Sequence, residues 1–243
     1  MAEKLYKIPL NEGFCADTEC PVCEMYNRLE ADAVDFVMGD SYMEDDVRME
    51  TDRIGFCGKH LPLLYRNQNR LGLGLILLTH MDRQLKEMEE LSKKKTVKAG
   101  GLFKKSVGGD PLAEYLKKQE NSCYVCKRMA NSYERYLATV FYLYENDEAF
   151  RKKFRESKGF CMKHYGKLHE MAENSLGNKY REEFIENLDR ITLENFKRVR
   201  DDLEWFTDKF DYRNADAPWK NSRDALIRAM QKTNSYFAEE KKK

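Results

Sequence analysis

Seven cysteines and four histidines occur in this sequence, and six of the cysteines and two of the histidines fall into two matching sets. The first set is Cys20-Pro-Val-Cys23, followed by Gly55-Phe-Cys-Gly-Lys-His60. The second is Cys123-Tyr-Val-Cys126, followed by Gly159-Phe-Cys-Met-Lys-His164. Three thiols and one imidazole are a standard ligand set for a tetrahedral metal ion, zinc first among them. Two side chains three residues apart near a helix start point the same way, so CxxC and CxxH can each supply half a tetrahedron. A helix N-terminus also favours the thiolate that binds metal. Gly55 and Gly159 suit a tight turn before each second half-site, with Phe56 and Phe160 packing beside the metal. These residues predict two zinc ions, with an iron-sulfur cluster as the alternative occupant. All four ligand positions are filled, which favours a structural site over a catalytic one.

The two sets are copies. Cys20 recurs as Cys123 and Cys57 as Cys161, 103 and 104 residues further on. Asn69-Arg-Leu-Gly72 recurs as Asn174-Ser-Leu-Gly177, at 105. Such a register indicates internal duplication. Pairing of the half-sites within each copy is the simpler arrangement, because only 33 and 34 residues intervene. Pairing across the copies stays open. A redox CxxC would call for a strand-helix context of the thioredoxin type, and no such strand is read here.

The elements that position these residues read as helices. After Cys126, the positions Met129, Tyr133, Tyr136, Leu137, Val140, Phe141 and Tyr144 have helical period, with Ser122 as the expected N-cap. A short helix over Glu148–Glu156 leads back to Gly159. The first copy matches with Glu24–Val37 and Tyr42–Thr51, then Leu71–Leu91. A long helical stripe runs from Phe184 to Phe210, as one helix or two joined ones, and a last amphipathic helix covers Asn221–Met230. The expected fold is all-α: two tandem zinc-clamped helical repeats, each metal stapling a helical hairpin, packed into one helical assembly. The expected domains are 1–98, a linker at 99–110, and 111–243 with its C-terminal extension. Lys93-Lys-Lys95 and the paired glycines read as exposed linker. Asp110-Pro111 reads as an N-cap with proline at the first helical position, and Lys241–Lys243 as a frayed tail.

Composition excludes several classes. With 43 basic and 42 acidic residues, nothing drives the chain toward nucleic acid or an acidic membrane. Five Pro and 13 Gly are too few for a turn-rich sandwich or barrel. The most apolar run, Leu71–Leu78, is far short of the roughly 20 residues a membrane helix needs. No apolar leader is read at the N-terminus, so the expected compartment is the cytoplasm, where clustered cysteines read as metal ligands before disulfides. Cys15 reads as a buried or free thiol, and His80 and His169 as packing or surface histidines. Asp211, Tyr212, Arg213 and Trp219 form a polar-aromatic cluster that could take a ligand or partner, with a structural cap as the plainer role. No phosphate-binding loop, dinucleotide fingerprint or nucleophile elbow is present.

The doubled CxxC and GFCxxH motifs, with Phe-Asp-Tyr-Arg213 and the Pro-Trp219 ending, resemble an uncharacterised bacterial family carrying a domain of unknown function. The resemblance spans nearly the whole chain and implies a bacterial cytoplasmic protein, but no activity. The expected function is a non-enzymatic scaffold or interaction module, with a protein partner or self-association. A thiol-based redox or zinc-responsive regulator is the alternative, and an enzyme with a pocket near Asp211–Arg213 the second.

Overall fold

The computed structural model describes residues 6–93 and 110–235. Among these there is no strand; the chain is helical throughout, with eleven α-helices. They are α1 (Lys7–Cys15), α2 (Pro21–Met38), α3 (Asp45–Ile54), α4 (His60–Arg66), α5 (Arg70–Lys93), α6 (Pro111–Glu120), α7 (Tyr124–Asn146), α8 (Glu148–Glu156), α9 (Met162–Ser175), α10 (Asn178–Asp208) and α11 (Ala225–Asn234). The all-α expectation therefore holds. The predicted linker lies outside the described residues except for its ends, as does the Lys241–Lys243 tail.

Local chemistry explains the helix starts and stops. Pro21 and Pro111 open α2 and α6, where a missing N–H costs nothing. The Asp110 carboxylate accepts from Leu112 N at 3.0 Å. That of Asp147 accepts from Phe150 N at 3.1 Å and starts α8 over the residues the sequence suggested. Gly55 ends α3 with φ +59, and Gly159 sits before α9 with φ +72. Any side chain is also shut out there. A Cβ would stand 2.3 Å from the His80 ring at Gly55, and 2.8 Å from the Ile191 carbonyl oxygen at Gly159. His80 is thus a packing residue, its Nδ1 2.6 Å from the Asp52 carbonyl oxygen. The long C-terminal stripe is one helix, α10.

The chain forms two compact units. One gathers the described residues up to Arg28 and those from Tyr133 onward; the other is Leu29–Ser132. The boundaries fall inside α2 and α7, which differs from a division into 1–98 and 111–243. In the first unit α10 packs on α9 and α11, and α1 and α8 pack together. Its core is aromatic: Phe14, Tyr144, Phe150, Phe154, Phe160 and Phe184 are buried. The Phe14–Phe150 and Tyr144–Phe184 rings meet edge-on at 4.9 Å. In the second unit α3 and α6 pack on α5.

Candidate metal centres

Each unit brings together three thiols and one imidazole. In the first unit the set is Cys20, Cys23, Cys161 and His164; in the second it is Cys57, His60, Cys123 and Cys126. Within each set one ligand atom per residue lies within 4.8 Å of the others. The half-sites pair across the two copies. The simpler in-copy pairing, and the stapled hairpin that went with it, are corrected by this geometry. The reason is reach. At about 1.5 Å per residue, α7 runs roughly 35 Å from its CxxC, while α8 returns only roughly 14 Å. A return leg so much shorter than the outward one works against in-copy pairing.

The eight candidate ligands stand at or beside helix ends. Cys20, Cys123 and Cys161 immediately precede α2, α7 and α9, while His60 begins α4. In the first unit His164 Nδ1 is 3.4, 3.2 and 3.3 Å from the sulfurs of Cys20, Cys23 and Cys161. Cys23 and Cys161 are 3.5 Å apart. In the second, His60 Nδ1 is 3.2, 3.3 and 3.4 Å from Cys57, Cys123 and Cys126, and the Cys57 and Cys126 sulfurs are 4.0 Å apart. Zinc-ligand bonds of 2.0–2.3 Å set tetrahedron edges of about 3.5–3.8 Å. Both sets fit an ion of that size, bound through Nδ1 in each case.

Hydrogen bonds from Cys20 and Cys23 hold the Cys161 thiol well below its usual range, while burial pushes Cys20 up to about 12. In the second unit burial raises Cys123, but the His60 hydrogen bond and the backbone N–H groups of Cys126 and Cys57 outweigh it and bring it to about 6. Burial and the neighbouring Cys123 push Cys126 up to about 12. Loading a cation would expel the remaining thiol protons, so metal uptake must weaken as pH falls.

The surroundings of the two sites can be compared position by position at the 103-residue offset between the CxxC motifs. Serine at 122 and glutamate at 19 stand at the same repeat position. Ser122 Oγ donates to the Ile54 carbonyl at 2.6 Å, and Tyr124 N to that of Gly55 at 2.9 Å, zipping the two half-sites of the second unit together. Ser122 is therefore not the N-cap of α7. In the first unit Lys232 of α11 does the equivalent task, donating to the carbonyls of Glu19 and Lys158. Lys232 is 1% exposed and lies 3.3 Å from the carboxylate of Glu19, which also takes two bonds from Arg198. This triad carries one net positive charge, which offsets the net negative charge of a divalent ion with three thiolates. Ser235 Oγ adds a contact to Cys161 Sγ at 3.0 Å.

Glu30 and Tyr133 are a second corresponding pair. Glu30 meets His60 Nε2 at 3.0 Å, the carboxylate-histidine arrangement that orients a metal-bound imidazole. Burial raises Glu30, but the His60 and Lys59 hydrogen bonds win and lower it. At the other site Tyr133 presents its ring to His164, with centroids 6.1 Å apart, and His164 Nε2 has no hydrogen-bond partner among the described residues. The sites also differ in access. All four residues of the first are buried, whereas in the second Cys126 is exposed and Cys57 half-buried. A hollow of about 370 Å³ lies against Cys123 and Cys126.

The other sequence candidates lie outside both clusters. Asp211 caps a short 3₁₀ turn over Tyr212–Asn214 and pairs with Arg213, while Tyr212 is 86% exposed. Trp219 packs on Phe206 and beneath Lys209. Lys209 closes the turn by donating to the carbonyls of Asn214, Ala215 and Ala217. His169 pairs with Asp189 at 2.6 Å. Cys15 is exposed. Among the described residues no helix is long and apolar enough to cross a membrane.

The chain belongs to the family of unknown function DUF6062, which matches residues 1–240. No curated protein and no solved structure matches it.

Proposed function

We propose that this chain is a zinc protein with two structural metal ions, working as a non-enzymatic scaffold or interaction module in the cytoplasm. The observation that carries this is the convergence of two S₃N donor sets, each built from half-sites more than sixty residues apart in sequence. Each ion would then tie elements that no local contact brings together, and metal binding would contribute roughly 10 kcal/mol or more of folding free energy per site. The interaction role is supported by α5. Its Leu71, Leu78, Met81 and Leu85 are 69, 58, 57 and 53% exposed. They follow the seven-, three- and four-residue steps of a helix-helix seam. A second copy of the chain is the partner such a seam fits.

Elemental analysis with an absorbance spectrum tests the metal. Two colourless zinc equivalents per chain are expected; brown protein containing iron would overturn the zinc assignment. Chelation followed by circular dichroism should then show loss of helix, and an unchanged melt would sink the structural role. A regulator that responds to oxidants is the second reading, favoured by the exposed Cys126.

A further inference from the structure

The geometry points to the second-unit site as an oxidant-sensing modification site, whose substrate is a small hydroperoxide and whose product is a Cys57–Cys126 disulfide. This rests on the metal-bound state proposed above. Access decides it. The four ligands in the first unit are buried, and Lys232 and Ser235 cover their outer side. In the second unit Cys126 is exposed at a hollow of about 370 Å³ lined by Ser122, Cys123, Lys127 and Ala130. That space admits a hydroperoxide to the Cys126 side of the site. A resolving thiol of the other half-site, Cys57, is 4.0 Å away. Cys57 sits in the loop between α3 and α4 beside Gly58, where a Cβ would face open space with nothing within 4 Å.

The step balances. The Cys126 thiolate attacks the peroxide O–O bond, giving Cys126 sulfenic acid and one alcohol or water. The Cys57 thiolate then displaces hydroxide from that sulfur, which leaves as water on protonation. Two thiolates lose two electrons and the hydroperoxide gains them. The ion keeps only His60 and Cys123 and leaves. The new bond joins the same two segments the metal held.

The test uses the full chain after its metal content has been measured, treated with limiting hydrogen peroxide in the presence of a chromogenic chelator. One equivalent of metal should leave in a fast phase and the second at least tenfold more slowly, with a Cys57–Cys126 linked peptide found by mass spectrometry. Ala130→Phe keeps every ligand. Its ring leans one turn back over Cys126, so the fast phase should slow by about tenfold. Equal release from both sites, a Cys123–Cys126 linkage in place of Cys57–Cys126, a linked peptide from Cys20, Cys23 or Cys161, or an unslowed A130F variant would overturn the inference. A starting chain without metal would refute the zinc reading instead. The order of thiol oxidation would still be read from the peptide map.

Discussion

At the residue scale, the ligands were legible and their supports were not. Cysteine and histidine at three-residue spacing have few other roles, so eight ligand positions could be read from composition and register alone. Glu30 and Lys232 carried no such mark, because glutamate and lysine on a charged helix usually face water. The one available signal was the duplication itself: position 30 corresponds to 133, where the copies differ by a carboxylate against a phenol. Glu30 also yields a prediction. Removing a carboxylate that orients a metal-bound imidazole typically costs about 10–100-fold in metal affinity. Glu30→Ala should therefore weaken one of two sites by that factor and leave the other unchanged, in a titration against a competing chelator. Equal weakening at both sites, or none, would show that the contact to His60 Nε2 does not support the metal. The same chemistry sets the pH dependence. Every cluster must shed thiol protons to load, so both affinities should fall as pH drops.

At the element scale, helix period was strong enough to place α5, α7, α8 and α10 from the sequence, and capping chemistry set the starts of α6 and α8. Helix lengths were only partly visible, and they bear on the pairing. An 18-residue α2 followed by a 10-residue α3, and a 23-residue α7 followed by a 9-residue α8, do not retrace their paths by helix alone. Counting intervening residues favoured the wrong half-site because a helix spends residues on displacement, at a nearly constant rise. The apolar face of α5 was harder to interpret. Leu71–Leu78 is the most apolar run of the sequence, yet only Leu73 and Ile76 of its large side chains are buried while Leu71 and Leu78 face outward. An outward seam of that kind fits self-association. Sedimentation equilibrium should show a dimer that the double substitution Leu78→Lys with Leu85→Lys converts to monomer, with the helical spectrum retained. A monomeric parent chain at tens of micromolar would remove α5 as a dimer seam.

At the scale of the whole molecule, crossed pairing makes the duplication a mutual arrangement: each copy donates a CxxC to one unit and a CxxH to the other. Neither copy holds a complete site in its own segment, and the compact units interleave along the chain for the same reason. This organisation can be read without a structure, by counting metal in paired variants. Cys20→Ser with His164→Ala strikes one site twice, so the chain should retain one equivalent of zinc. Cys20→Ser with His60→Ala strikes both sites once, so retention should fall toward zero. In-copy pairing predicts the reverse, with the second combination keeping one equivalent. The single variants calibrate the comparison, each losing one equivalent. Because both double variants share Cys20→Ser, general loss of stability would lower both alike, whereas the crossed arrangement separates them by one metal ion per chain.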